Sequence, residues 1–120
     1  MTKILIVDDD HTMADLLKIL LELDGFNVIH ETREGSLVAT VRDEKPDVVL
    51  MDVFLTDSDG LDLLAEVRAD EGITGTRIVM TSGMELREQA FAAGADAFLL
   101  KPYTPDQLIS TIREVTDSGS

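Results

Sequence analysis

Ile4-Leu5-Ile6-Val7-Asp8-Asp9-Asp10 decides how the chain is read: four branched apolar residues run straight into three carboxylates. Such a run is too short for a helix and reads as a strand buried on both faces. Four more runs of this kind follow, at residues 28–29, 48–51, 78–80 and 97–100. Between them the apolar spacing turns helical. Met13, Leu16, Leu17, Leu20 and Leu23 line up on one face, with Thr12 as the expected N-cap and Gly25 as the stop. Leu61, Leu64 and Val67 mark another helix behind Asp59 as its cap. Thr104-Pro105-Asp106-Gln107 carries a cap, a first-turn proline and a capping-box glutamine ahead of Leu108, Ile109, Ile112 and Val115. Leu37, Val38 and Val41 suggest a helix after the second strand, and Phe91, Ala92 and Ala93 one after the fourth.

Strand and helix thus alternate along the chain, which predicts an α/β fold: a parallel sheet with helices on both faces, doubly wound. The 120 residues suit one domain, and 44% hydrophobic with 4% aromatic residues gives it an aliphatic core. The methionines are expected as core filler. No cysteine is present, so disulfides and thiolate metal sites are excluded. The net charge of −14, from 24 acidic and 10 basic residues, disfavours direct contact with nucleic acid or an anionic membrane. No stretch nears the roughly 20 apolar residues of a membrane span, so a cytoplasmic protein is expected.

In open parallel sheets, chemistry gathers beyond the carboxyl ends of the strands. Here those ends are Asp8-Asp9-Asp10, Asp52, Thr81-Ser82 and Lys101-Pro102. Two like charges about 4 Å apart repel by roughly 4 kcal/mol at an effective dielectric near 20. Asp8, Asp9 and Asp52 can therefore share a rim only with cations among them. Lys101 is one. A hard divalent ion bound through oxygen supplies the rest, and Mg²⁺ suits a site without a histidine or cysteine ligand set. A bare metal site needs neither the lysine nor the threonine, whereas a carboxylate that accepts a phosphoryl group needs both. Asp52 is then the nucleophile that forms an acyl phosphate, with Thr81 and Lys101 on the phosphoryl oxygens.

These ordered residues, with Gly60 in Asp57-Ser58-Asp59-Gly60, make the chain resemble a receiver domain of bacterial two-component response regulators, of the single-domain chemotaxis type. The resemblance covers residues 1–117 and leaves 118–120 as tail or linker. It implies a flavodoxin-like three-layer sandwich with strand order 2-1-3-4-5 and a cis peptide before Pro102. It implies Mg²⁺ on Asp8, Asp9, Asp52 and the Phe54 backbone carbonyl, and a switch pair of Thr81 and Phe98. It also implies a sensor histidine kinase or histidine phosphotransfer protein as donor. The output is then a protein target on the face of the fourth helix, fifth strand and fifth helix, without nucleic acid or membrane. The domain would act as a phosphoacceptor that assists its own phosphorylation and dephosphorylation, not as an enzyme on a separate substrate. Thr56 stands where the family often has proline, which suggests a more mobile loop, and Phe98 replaces the frequent tyrosine.

Other readings explain single features. Asp8-x-Asp10-x-Thr12 resembles the nucleophile motif of haloacid-dehalogenase phosphohydrolases, with Asp8 as nucleophile, but no later acidic pair follows Lys101. A pseudo-receiver that takes no phosphate would lack one of the key groups, and all are present. His11 and His30 read as exposed or edge residues, and Asp57 and Asp59 as turn and cap. The chain is read as a whole protein, with a fragment of a larger regulator as the alternative.

Overall fold

The computed structural model describes residues 2–31, 36–55, 58–73 and 75–117. The expectations for Thr56, Asp57 and the 118–120 tail lie outside the described residues. Ten elements alternate: β1 (Lys3–Val7), α1 (His11–Leu23), β2 (Asn27–Glu31), α2 (Leu37–Glu44), β3 (Val48–Asp52), α3 (Gly60–Ala69), β4 (Arg77–Ser82), α4 (Arg87–Ala93), β5 (Ala97–Leu100) and α5 (Pro105–Asp117). A short 3₁₀ turn, Glu71–Ile73, precedes β4. The pairings within the sheet are parallel, in the order β2-β1-β3-β4-β5. The Lys101–Pro102 peptide is cis.

Alternate residues of the central strands feed two cores, as the period of two requires. Ile4, Ile6, Val48, Leu50 and Val79 pack on α1 and α5, while Leu5, Val49, Met51, Ile78 and Met80 pack beneath α2, α3 and α4. A sheet covered on both faces explains the unbroken apolar runs.

Three local expectations are corrected. Asp10, not Thr12, caps α1: its side chain accepts the Met13 N–H at 3.0 Å. The face of α1 that enters the core is Ala14, Leu17 and Leu21, whereas Met13, Leu16 and Leu23 are exposed. The α1 sequence is apolar round much of its circumference, so spacing alone did not say which stripe meets the sheet. Met51 and Met80 are core, but Met13 and Met84 are exposed. The expected caps of the other two helices are found: Asp59 accepts from Leu61 N–H, and Thr104 and Gln107 bond each other's backbone N–H at 3.1 and 2.8 Å.

Two contacts brace the ends of the strands. Arg68 donates to the carbonyls of Gly94 and Thr76 and to the Asp96 carboxylate, which also accepts the Ile78 N–H. One guanidinium thereby ties α3 to the starts of β4 and β5. At the other end, Gly60 N–H donates to the Val53 carbonyl at 2.7 Å. A Cβ on Gly60 would stand 2.3 Å from the Asp52 carbonyl oxygen and 2.8 Å from Val53 Cα. Only glycine lets α3 start this close to the end of β3.

Gly60→Ala is therefore expected to cost about 1–3 kcal/mol by overpacking against backbone. Gly25→Ala, at φ +94° with open space around it, should cost about 1 kcal/mol from its left-handed conformation alone. Urea denaturation of the two variants measures the difference.

Candidate functional site

The sheet order reverses between β1 and β3, and a crevice opens at such a switch point beyond the strand ends. It is a shallow basin of about 390 Å³ lined by Asp8, Asp9, Asp10, Met13, Asp52, Phe54 and Lys101. Asp8 and Asp9 follow β1, Asp52 closes β3, and Lys101 follows β5. The lysine crosses above β4 because its N–H bonds the Ser82 carbonyl, which sets the start of the cis-proline loop over that strand. Its Nζ then donates to Asp52 Oδ2 at 2.5 Å. The other carboxylate oxygen of Asp52 accepts the Phe54 N–H at 3.1 Å. With the Asp52 side chain 14% exposed and that of Lys101 35%, the pair is partly shielded and open to solvent on one side.

The acidic loop is held by its own hydrogen bonds. Asp8 Oδ1 accepts the Asp10 N–H at 2.9 Å, and Asp10 Oδ1 in turn caps α1. Half-burial pushes the Asp8 carboxyl above its ordinary value, with the Asp52 and Asp10 charges adding to the rise; the Asp10 N–H and the Lys101 charge oppose it. Burial, together with the Asp8 and Asp52 charges, raises the Tyr103 phenol to about 12. Among the described residues that line the basin, carboxylates outnumber cations.

The residues present fit Mg²⁺. Among the described residues, no three histidine, aspartate or glutamate groups converge closely enough to enclose an ion by themselves. An open basin of hard oxygen donors suits a cation that keeps several of its waters and takes only one or two carboxylates.

Of the residues singled out from sequence, Asp8, Asp9, Asp52, Phe54 and Lys101 share this basin. Thr81 is buried beside Asp52, in register on β4, and its carbonyl accepts the Val53 N–H at 2.9 Å. Phe98 lies one strand further out, paired with Met80 and buried on the α3–α4 side, with the Arg87 guanidinium 5.5 Å from its ring centroid. Neither Thr81 nor Phe98 lines the basin. Sequence reasoning missed the capping role of Asp10, for which an aspartate directly ahead of the helical run was a usable signal. It also missed Tyr103 beside the acidic groups and a contact of His30 with the Asp8 backbone, for which no local signal exists. A larger cavity of about 750 Å³ lies at the other end of the sheet, near Arg42, Lys45 and Arg77. It holds none of these groups, so cavity size does not locate the chemistry.

A family model described as the response regulator receiver domain matches residues 4–113. The chain is 36% identical over 116 residues to the transcriptional regulatory protein CpxR of Klebsiella pneumoniae, and 35% over 117 residues to the transcriptional regulatory protein KdpE of Staphylococcus aureus. Those alignments cover 96% and 95% of this chain but 49% of each relative, so the chain spans about half their length. Among solved structures, a CheY-like response regulator receiver domain protein from Methanospirillum hungatei superposes with a TM-score of 0.89 at 32% identity, covering 99% of this chain and 96% of that one. The chemotaxis response regulator CheY4 of Vibrio cholerae gives 0.86 at 26%, covering 96% and 98%.

Asp8 also links this site to stability. Its pKa is raised on folding, so between the unfolded and folded values the folded state binds more protons, and stability falls as pH rises. Above both values the metal-free protein carries the whole penalty. Asp8→Asn is expected to raise the Tm of metal-free protein at neutral pH, with the advantage shrinking as pH falls toward the ordinary value of 3.8. Thermal melts in chelator across a pH series check both the sign and the window.

Proposed function

The chain belongs to the response regulator receiver family of two-component signalling, and from that premise we propose that Asp52 is its phosphoacceptor. The observation that carries this reading is the Lys101 ammonium at 2.5 Å from the Asp52 carboxylate, beside the acidic pair. An Asp52 oxygen attacks the phosphorus of a donor phosphohistidine; the N–P bond breaks, its electron pair returns to the imidazole, and an O–P bond forms. Lys101 and the Phe54 N–H already point at the carboxylate, so they meet the phosphoryl oxygens with little rearrangement. Mg²⁺, when bound, neutralises charge on the phosphoryl group, and Asp8, Asp9, Asp52 and the Phe54 carbonyl are the residues that would hold it. Since these groups are the domain's own, it assists its own phosphorylation and dephosphorylation and needs no separate active site.

The Thr81 hydroxyl is the nearest buried hydroxyl on the neighbouring strand, and its movement toward a phosphate frees space for Phe98. Coupling runs from there to α4, β5 and α5, where Met84, Phe91 and Leu100 are exposed for a protein target. The donor is a sensor histidine kinase or histidine phosphotransfer protein. An apolar groove of about 530 Å³ formed by Met13, Leu16, Leu20, Pro102, Tyr103 and Pro105 adjoins the basin and shares Met13 and Lys101 with it. A donor helix seated there brings its phosphohistidine to Asp52. Among the described residues, no helix is long and apolar enough to cross a membrane; a cytoplasmic location is part of this proposal. Residues 1–117 form the receiver unit in this reading.

Acetyl phosphate, or beryllofluoride as a phosphoryl mimic, tests the assignment. Intact mass after acetyl phosphate should show one added phosphoryl group in the wild type with Mg²⁺, little without it, and none in Asp52→Asn. Modification kept in Asp52→Asn but lost in Asp8→Asn would restore the phosphohydrolase reading. An unmodified wild type that also ignores beryllofluoride would identify a pseudo-receiver.

A further inference from the structure

Both histidines of the chain meet at the acidic rim, 19 residues apart in sequence. His30 lies on the edge strand β2, opposite Ile6 of β1, and is half-buried. Its Nε2 stands 2.9 Å from the backbone carbonyl oxygen of Asp8. A carbonyl can only accept, so Nε2 carries the proton and donates. His11, the first residue of α1, meets the His30 ring edge to face, with centroids 5.6 Å apart and planes at 72°. The imidazole is thus aimed from one side and anchored at the other.

This bond acts on the part of the site that most needs it. The acidic loop leaves β1 at Val7 and enters α1 at His11. Asp8 and Asp10 fasten the inner side of that loop through the Asp10 N–H and the α1 cap. His30 fastens the Asp8 peptide itself, from a strand that lines no part of the basin. Because carboxylates crowd this rim, an unfastened Asp8 peptide would turn its side chain outward to relieve repulsion.

We propose that His30 is a positioning residue for the divalent-cation site, holding the Asp8 peptide so that the acidic pair faces the basin. This rests on the reading of Asp8 and Asp9 as metal ligands given above. The bond is a single one to a backbone carbonyl, and its loss corresponds to an affinity change of about three- to tenfold.

The experiment is a calorimetric Mg²⁺ titration of wild type, His30→Leu, His30→Gln and His30→Asn, alongside thermal melts in chelator. The glutamine amide nitrogen reaches the place of Nε2, and the asparagine amide does not. Expected is Mg²⁺ binding weakened about three- to tenfold in His30→Leu and His30→Asn and restored to within about twofold in His30→Gln. A merely structural role would lower the melting temperature in chelator and leave the Mg²⁺ affinity unchanged, which would overturn the proposal. So would equal affinities for the glutamine and asparagine variants, a comparison that decides the matter even if His30→Leu does not fold. A wild type that binds no Mg²⁺ would remove the metal-site reading itself, and this proposal with it.

Discussion

Like charges brought together at one rim govern this molecule. Parallel winding points the carboxyl ends of β1 and β3 the same way and makes them neighbours, so Asp8, Asp9, Asp10 and Asp52 arrive at one basin whatever their repulsion. The Lys101 ammonium, delivered over β4 from the end of β5, answers Asp52 among them. The upward shift of Asp8 comes first from its half-burial, with the neighbouring Asp52 and Asp10 charges adding to it. A rim in that condition is ready for a cation and for a group whose charge can be shared among Lys101 and backbone N–H donors. Phosphoryl transfer asks for that arrangement more than for any covalent help.

The rest of the fold holds this unfavourable cluster in place. Central strands buried on both faces cannot slide without exposing one core or the other. Gly60 brings the first turn of α3 against the Asp52 peptide, which fixes the turn that follows Asp52. At the far end Arg68 satisfies carbonyls that would otherwise fray where β4 and β5 begin. The stability of the hydrophobic layers is what allows the rim to remain electrostatically strained.

Most of the acidic surplus is on the surface, and the apolar exceptions cluster at two places. Among the described residues, one is the outer stripe of α1 beside the basin and the other is the side of α4 and β5, while Phe54 stands exposed at the basin itself. Each lies next to one end of the path proposed above, from Asp52 through Thr81 to Phe98. In that proposal, an incoming donor and an outgoing target use separate faces of one small domain.

The apolar runs, the terminal carboxylates, Lys101 and the cap residues Asp59 and Thr104 were legible in sequence, because each follows from local periodicity or from a residue type at a strand end. From these alone came the α/β class, the parallel sheet and the identity of the clustered groups. Tertiary structure decided what local pattern leaves degenerate. It selected Ala14, Leu17 and Leu21 over the neighbouring stripe of α1, since packing against the sheet fixes the helix's rotation and apolar spacing does not. It made Asp10 a cap, sent Met13 and Met84 to the surface, and closed the bond from His30 to Asp8 across 22 residues. Contacts between distant segments depend on how strands are ordered in space, and one strand's residues carry no record of which neighbour will lie beside it.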